Sequence, residues 1–266
     1  MQVRKIGRRM RKNYAPEEIS AIRAGVPFAS VDQARRVRRK LAGDENFKRW
    51  LDNRIQFGQI ADIKGDWEMY RRYSAYNKLF SPYLGKSIVD ELGEMAWRKS
   101  SKKRKKVPLE ILDDGAGHGV FLEHIKHLMG EHKVPVRTTA VVLYASEDLK
   151  ARKEEGSVDE IIENPVETFV PRRRYDAIFS MLGGIEYSLM HFTRETVLKY
   201  AHALNAGGIA VIGLDIKTSY RQQMEEFKRR VIKSFEKRGF KADFYHNPEN
   251  KAEHLPQDVL IIRRIR

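Results

Sequence analysis

The chain has no cysteine among its 266 residues. This excludes disulfide frameworks, thiolate metal sites, cysteine nucleophiles and cysteine-bound iron–sulfur clusters. His124 and His127 lie three residues apart but lack the carboxylate partners that a metal site needs, so no metal is expected.

Long apolar runs are also missing. None approaches the roughly 18 residues that suggest a membrane span. The basic first residues, "MQVRKIGRRMRKNY", are not followed by the apolar stretch of a secretory signal. With 41% hydrophobic residues the chain has enough apolar material for a core. The sequence therefore predicts a folded cytoplasmic protein with no membrane partner.

Positive charge is concentrated in the first part of the chain. Residues 1–106 hold 27 Lys and Arg against 12 Asp and Glu, whereas residues 107–266 hold 24 of each. An excess confined to one part makes a local field that attracts polyanions. A solvated helical surface is the alternative explanation of the same charges.

Three regions follow from the sequence pattern. Residues 1–99 are predicted to be a basic helical region, residues 100–106 ("SKKRKK" with the preceding serine) a basic linker, and residues 107–266 an α/β domain. One helix through residues 67–84 carries an aromatic stripe at helical spacing, which predicts packing against the α/β domain. The stripe consists of Met69, Tyr73, Tyr76, Phe80 and Tyr83.

From Val107 onward, apolar runs alternate with amphipathic segments, as in a parallel sheet with helical crossovers. The connection of residues 246–256 is too short for a helical crossover, so the last two strands are predicted to be antiparallel. A helix is expected over residues 219–239. The predicted strands are residues 107–113, 137–145, 158–163, 175–181, 207–216, 240–246 and 258–265.

The first predicted strand runs into a glycine-rich turn, "DDGAGHG". Three alternating glycines leave backbone N–H groups uncovered at the carboxyl edge of the sheet, where open α/β folds bind ligands. The spacing does not fit the dinucleotide fingerprint or the P-loop. An acidic residue before the turn, here Asp113, would repel a pyrophosphate and suits a ligand with an ammonium group. His118 within the turn is expected to be an exposed side chain.

On these residues the chain resembles the class I S-adenosylmethionine-dependent methyltransferases. Their acid followed by Gly-x-Gly-x-Gly matches "DDGAGHG", and "YDAIFSMLGGIEYS" and "ALNAGGIAVIGL" are similar to later motifs of the family. The resemblance covers residues 107–266. It implies a seven-stranded, mostly parallel, Rossmann-like methyltransferase sheet ending in an antiparallel hairpin, with S-adenosyl-L-methionine as the cofactor.

The resemblance also implies a set of cofactor-binding residues. The second strand ends at Leu143 and Tyr144 where the family usually has an acid for the ribose, and Glu147 and Asp148 follow as substitutes. After the third strand Asn164 stands where an aspartate usually meets the adenine, and its carbonyl can accept the same hydrogen bond. The implied residues are Asp113, Gly115, Ala116, Gly117, Gly119, Tyr144, Asn164, Ser180, Met181 and Leu182.

The methyl acceptor is predicted from the segment after the fourth strand, "SMLGGIEY". It lacks the Asn-Pro-Pro-Tyr motif of base amine methylation and the aspartate of the ribose tetrad. Glu186 or His191 is a candidate general base, and Tyr187 a candidate for positioning the acceptor. Each of the three residues also has a purely structural explanation as a surface or packing side chain.

Three hypotheses of function remain open. In the first, a methyltransferase binds RNA phosphates through its basic region. In the second, the acceptor is a small molecule or a protein, and the N-terminal helices form a lid. In the third, the fold is a non-catalytic RNA-binding or scaffold module. The residues predicted to bind RNA are Arg35, Arg36, Arg38, Arg39, Lys40, Lys102, Lys103, Arg104, Lys105 and Lys106.

Overall fold

A computed structural model of the protein describes six continuous ranges and several single positions. At residues 102 and 103 the description covers the backbone only. The helices predicted before residue 72 and over residues 219–239 lie outside these ranges, apart from single positions. The ranges are 72–103, 106–164, 173–181, 199–214, 239–248 and 255–265, with positions 45, 48, 49, 52, 53, 55, 56, 169, 171, 197, 235 and 250.

The described elements alternate in the predicted manner, with two helices ahead of the first strand. The helices are α1 (Tyr73–Leu84), α2 (Ile88–Lys103), α3 (Val120–Glu131) and α4 (Glu147–Glu154). The strands are β1 (Leu109–Asp114), β2 (Val136–Val142), β3 (Glu160–Glu163), β4 (Tyr175–Met181), β5 (Leu204–Leu214), β6 (Phe240–His246) and β7 (Asp258–Arg264).

The seven strands form one sheet in the order β3-β2-β1-β4-β5-β7-β6. The strands β1 to β5 pair in parallel, and β7 is antiparallel to both β5 and β6. The prediction of a mostly parallel sheet ending in an antiparallel hairpin is confirmed. In this arrangement the carboxyl-terminal ends of β1 to β6 lie at one edge of the sheet, which we call the carboxyl edge. β7 runs in the opposite direction and begins at this edge.

Strand boundaries differ from the predictions where turns interrupt the apolar runs. β2 ends at Val142 because the chain then turns into α4, whose N-cap Ser146 accepts a hydrogen bond from the N–H of Leu149 through its side chain. β5 begins at Leu204, three residues before its predicted start, because its ladder with β4 contains a register shift between Tyr175 and Ala177. β4 and β6 match their predicted boundaries.

The core lies on both faces of the sheet, since β-strand side chains alternate between faces. Leu109 and Ile111 of β1 join the cluster that includes α1, α2 and α3, whereas Leu112 joins the cluster on the other face. Within the described ranges, no helix is long and apolar enough to span a membrane.

The aromatic stripe on α1 packs into this core, as predicted. Tyr76 and Phe80 are buried, and the Tyr76 ring stacks on Phe121 of α3 at a centroid distance of 3.9 Å. Further along α1, Tyr83 stacks on Tyr245 of β6 at 4.8 Å. The helix therefore crosses one face of the sheet from β1 to β6.

The segment predicted as a basic linker begins inside a helix. α2 extends to Lys103, so residues 100–103 are helical. Lys99 near its end donates to the carboxylate of Asp176 at 2.5 Å and to the carbonyl of Pro108 at 2.7 Å. These contacts attach the last turns of α2 to the amino edge of the sheet, where β1 and β4 begin.

Candidate active site

The glycine-rich turn lies at the carboxyl edge of the sheet and has a strongly constrained backbone. Gly115, Gly117 and Gly119 have positive φ angles of 78°, 54° and 82°, a region in which side chains with a Cβ are strained. The turn continues the ladder of β1, since the N–H of Gly115 donates to the carbonyl of Val141 at 2.9 Å. The predicted backbone turn is present at this edge.

Helix α3 begins directly after the turn without a side-chain cap. Its N-cap is Gly119, which offers no oxygen to the first N–H groups of the helix. A Cβ at Gly119 would approach the Cδ1 atom of Leu149 to 2.7 Å, so α4 packs closely against the turn. The start of α3 thus leaves its first backbone N–H groups without a side-chain acceptor at the carboxyl edge, a position that suits an anionic group of a ligand.

Asp113 lies beneath the turn in the core, with no exposed surface. The hydroxyl of Tyr76 is 3.0 Å from Oδ1 of Asp113 and 3.2 Å from Oδ2, and it donates to this carboxylate. The carboxyl group of Asp113 therefore lies under the turn within the protein. Its contact with the aromatic stripe is a feature that the sequence did not predict.

The next residue, Asp114, faces the end of β4. Asp114 and Ser180 are paired in the sheet register, and the Ser180 hydroxyl donates to Oδ2 of Asp114 at 3.3 Å. Ser180 and Met181, both predicted to lie near the cofactor, are buried at the end of β4. β1 and β4 therefore bring the predicted residues Asp113, Ser180 and Met181 to one edge.

The expectation that His118 is exposed is wrong. Its side chain is only 12% exposed, because Nδ1 lies 3.1 Å from both Ser146 Oγ and Asp148 Oδ2 at the start of α4. Arg152 of α4 donates to the carbonyl of His118 at 3.2 Å. These contacts hold the glycine-rich turn against α4, and a turn that binds a ligand gains rigidity from them.

Tyr144 follows the end of β2, and Asn164 follows the end of the neighbouring strand β3. The N–H of Asn164 donates to the carbonyl of Val142 at 2.8 Å. Its neighbour Glu163 is exposed, and its Oε2 accepts from the N–H of Ala145 at 3.0 Å. A carboxylate from β3 therefore reaches the turn after β2, where the sequence has no acid of its own.

The two acids that follow Tyr144 have other partners. Glu147 is highly exposed and pairs with Lys150 at 2.6 Å, which raises the pKa of Lys150 through their hydrogen bond. Asp148 contacts His118 as described above. Of these carboxylates, Glu163 is the one that contacts the backbone of the turn after β2.

The proposed catalytic residues Glu186, Tyr187 and His191, together with Leu182, lie outside the described residues. The same holds for most predicted RNA-binding residues, namely Arg35, Arg36, Arg38, Arg39, Lys40, Arg104 and Lys105. Lys102 and Lys103 are in α2, and Lys106 is exposed after it.

One histidine–aspartate pair at the same edge was missed by sequence reasoning. Nδ1 of His246, at the end of β6, lies 2.8 Å from Oδ1 of the buried Asp258. The two residues are paired in the β6–β7 register, beside Leu214 at the end of β5. The sequence could have indicated this pair, because the short connection of the predicted hairpin brings the end of β6 and the start of β7 close together.

Comparison with known proteins finds no matching family model and no matching curated protein. Among solved structures the chain is similar to the plantazolicin methyltransferase BpumL in complex with SAH. The identity is 12% over 94% of this chain and 96% of that one, with a TM-score of 0.46.

The chain is also similar to two further solved structures. A 1,6-didemethyltoxoflavin-N1-methyltransferase of Burkholderia thailandensis is 15% identical over 80% of this chain and 90% of that one, with a TM-score of 0.45. An rRNA methylase from Streptococcus thermophilus is 17% identical over 67% and 94%, with a TM-score of 0.42. Because these identities and TM-scores are low, the fold is assigned from the strand order of the chain itself.

Proposed function

We propose that this chain, which has the fold of the class I S-adenosylmethionine-dependent methyltransferases, is such a methyltransferase and acts on RNA. The observation that carries the proposal is the turn of three left-handed glycines at the carboxyl edge of β1. It lies above a buried carboxylate and before an uncapped helix. Such a turn suits a ligand that binds directly on the backbone.

Residues of the chain fit each part of the cofactor. The turn of residues 115–119 is the segment that we assign to its methionine end. Glu163 offers a carboxylate to the ribose hydroxyls, and the side-chain carbonyl of Asn164 can accept from the adenine amine. The cofactor supplies a methyl group on a sulfonium, which an aligned nucleophile of the acceptor takes up. The chain contributes alignment and a path for the acceptor's proton.

For the acceptor side, the sequence supplies candidate groups. Glu186 or His191 is proposed as the base and Tyr187 as the residue that positions the acceptor. The excess of positive charge in residues 1–106 supports RNA as the acceptor, because phosphate contacts give affinity without requiring base recognition. The aromatic stripe of α1 is not available as a lid, since Tyr76 and Phe80 are buried in the core.

Calorimetric titration with S-adenosylhomocysteine tests the cofactor site. Gly117→Ala adds a methyl group to the turn, and we expect at least a tenfold loss of affinity. Gly156→Ala is the matched control, because Gly156 has a similar φ of 79° and nothing within 4 Å of its added Cβ. Gly156→Ala should strain its own backbone to a similar extent but leave the affinity for S-adenosylhomocysteine at the wild-type value.

A second pair of variants tests Glu163. Glu163→Gln should lower the affinity for S-adenosylhomocysteine by about tenfold, on the scale of a charge-assisted hydrogen bond. Glu147→Gln, which removes an exposed carboxylate paired with Lys150, should leave the affinity unchanged.

If the folded wild type binds no cofactor, the scaffold hypothesis replaces this proposal. If it binds, transfer of a radiolabelled methyl group to RNA or to small molecules identifies the acceptor class.

A further inference from the structure

The glycine-rich turn has a backbone that its own residues do not fix. Gly115, Gly117 and Gly119 all have positive φ angles, and glycine leaves this region at little cost because it has no Cβ. A turn that changes conformation in the free protein has to be ordered again when a ligand binds, and this ordering lowers the affinity. Contacts from outside the turn are therefore needed to keep it in one conformation.

Arg152 of α4 supplies such a contact through its side chain. Its Nε atom donates to Oε2 of Glu123 at 2.7 Å, and its Nη1 atom donates to the carbonyl of His118 at 3.2 Å. His118 lies within the turn, and Glu123 lies in the first turn of α3, which follows it. One guanidinium therefore bridges the glycine-rich turn and the helix that begins after it. A planar guanidinium suits this role because its donors point in fixed directions.

The backbone of Arg152 is itself held in place. Its carbonyl accepts from the N–H groups of Ser157 at 2.8 Å and of Val158 at 3.1 Å, in the connection that leads to β3. The side chain of Arg152 is only 23% exposed, so water and salt screen its ion pair less than they screen a pair at the surface. The position of the guanidinium is thus set by the connection to β3 and by α4, and not by the turn.

Two further residues of α4 contact the same part of the turn. Leu149 packs at Gly119, where a Cβ would approach its Cδ1 atom to 2.7 Å, and Oδ2 of Asp148 lies 3.1 Å from Nδ1 of His118. The Cδ atom of Arg152 is 3.7 Å from the same Cβ position. Apolar, polar and charged side chains of α4 therefore all meet the turn at residues 118 and 119.

We propose that Arg152 is a positioning residue for the cofactor. It holds residues 118–123 in the conformation that binds S-adenosylmethionine, and it acts through the carbonyl of His118 and the carboxylate of Glu123. This inference rests on the proposed function, because it takes the turn as the cofactor site. It adds a residue of α4 that the glycine pattern of the sequence does not indicate.

Calorimetric titration of the full-length protein with S-adenosylhomocysteine tests the proposal. Arg152→Gln removes the guanidinium, and we expect the Kd to rise about 3- to 30-fold, the scale of couplings that act through neighbouring contacts. Arg152→Lys keeps the charge but not the planar fork, so its Kd should be intermediate. Wild-type affinity in a folded Arg152→Gln variant would overturn the proposal.

The ion pair between Lys126 and Asp159 provides a matched control on the same helix. Its N···O distance is also 2.7 Å, and its cation and acid are 28% and 34% exposed, against 23% and 34% for Arg152 and Glu123. It joins α3 to the residue before β3 instead of to the turn. Lys126→Gln should therefore cost a similar amount of stability in urea unfolding but leave the Kd unchanged. An equal rise of the Kd in both variants would show that affinity follows the general stability of α3, which contradicts a positioning role.

A double-mutant cycle tests the bridge itself. Glu123→Gln should raise the Kd less than Arg152→Gln, because the bond from Arg152 to the carbonyl of His118 remains. The variant with both substitutions should have the Kd of Arg152→Gln alone, because the Glu123 carboxylate acts on the turn through Arg152. Losses that simply add would show that the two residues act independently and would contradict the bridge.

Amide hydrogen exchange gives a readout that does not depend on the cofactor. In ligand-free Arg152→Gln, exchange should become faster in peptides that contain residues 115–123 and should keep the wild-type rate in β4 and β5. Faster exchange throughout the chain would show a loss of overall stability and would overturn the positioning role.

The outcomes separate this inference from the proposed function. If the folded wild type binds no S-adenosylhomocysteine, the cofactor site fails and the positioning role of Arg152 fails with it. If the wild type binds and Arg152→Gln binds equally well, only the positioning role is lost, and the methyltransferase proposal stands.

Discussion

At the scale of single residues, polar side chains join segments that are distant in the chain. Tyr76 donates to Asp113 across 37 positions, and Lys99 donates to Asp176 across 77. Asp159, just before β3, binds Thr138 of β2 and Lys126 of α3. In each case a carboxyl group accepts hydrogen bonds from another element and so joins the two elements.

Asp159 leads to a prediction about pH. Burial raises its pKa, but hydrogen bonds from Lys126 and from the backbone and side chain of Thr138 outweigh this effect, so its pKa is lowered overall. A lowered folded-state pKa stabilises the fold above the unfolded value of about 3.9, and this stability is lost as pH falls through the folded pKa. The effect of Asp159→Asn on the free energy of unfolding should therefore be larger at pH 7 than at pH 2.5.

Urea unfolding at the two pH values measures this difference. Glu154→Gln, which changes an exposed glutamate of α4, is the control and should have little effect at either pH. An equal loss of stability in Asp159→Asn at both pH values would show that the hydrogen-bonded carboxylate does not favour its ionised form in the fold.

At the scale of elements, the start of β5 is a junction held by several contacts. The backbone is irregular here because the β4–β5 register shifts after Tyr175. Asp176 holds the junction together: its carboxylate accepts from Lys99 of α2, from the N–H of Glu110 in β1 and from the side-chain amide of Asn205 in β5. Four elements thus meet at one side chain.

Two adjacent glycines at this junction should respond differently to alanine. A Cβ at Gly208 would lie 2.8 Å from the carbonyl oxygen of Asn205 and 2.9 Å from that of Asp176, both backbone atoms that cannot move aside. A Cβ at Gly207 meets nothing within 4 Å and faces only the strain of a φ of 76°. We expect Gly208→Ala to cost about 3 kcal/mol and Gly207→Ala about 1 kcal/mol.

Chemical denaturation of both variants gives the comparison directly. Equal destabilisation would mean that the strands separate to admit the methyl group and that the junction is softer than its contacts imply. Both variants should retain cofactor affinity if they are folded, because the junction lies at the amino edge.

At the scale of the whole molecule, α1 and α2 belong to the same core as the sheet. Tyr76 stacks on Phe121, Leu79 approaches Gly213 of β5, and Ile88 and Leu92 are fully buried. Arg263 of β7 also pairs with Glu91 of α2 at 2.6 Å. The two helices therefore cover a face that the α/β segment alone would leave apolar and exposed to water.

A fragment of residues 107–266 should therefore fail to fold cooperatively. Without α1 and α2 the side chains of Phe121 and Phe179 lose their covering, since Phe80 lies against Phe179 and Tyr76 against Phe121. We expect a broad thermal transition and binding of a hydrophobic dye. A fragment of residues 72–266, which keeps both helices, should unfold in one cooperative transition.

Circular dichroism and dye fluorescence of the two fragments and the full chain provide the test. A fragment of residues 107–266 that unfolds cooperatively at the temperature of the full chain would show that α1 and α2 contribute little to the core.

The sequence determined the features that depend on local pattern. Apolar runs located β4 and β6 residue for residue, three glycines located the turn at the end of β1, and a short connection implied the antiparallel hairpin. These features were predictable because side-chain alternation, backbone freedom and loop length are properties of neighbouring residues.

Tertiary structure alone decided the contacts that form the candidate site. The burial of Asp113 under Tyr76, the closing of His118 against α4 and the reach of Glu163 to the turn after β2 all depend on which strands are adjacent and how α1 crosses them. Such contacts join residues far apart in sequence, and no local pattern records strand order or helix direction. The sequence gives the type of each residue, but its contact partner is determined only when the strands and helices have assembled.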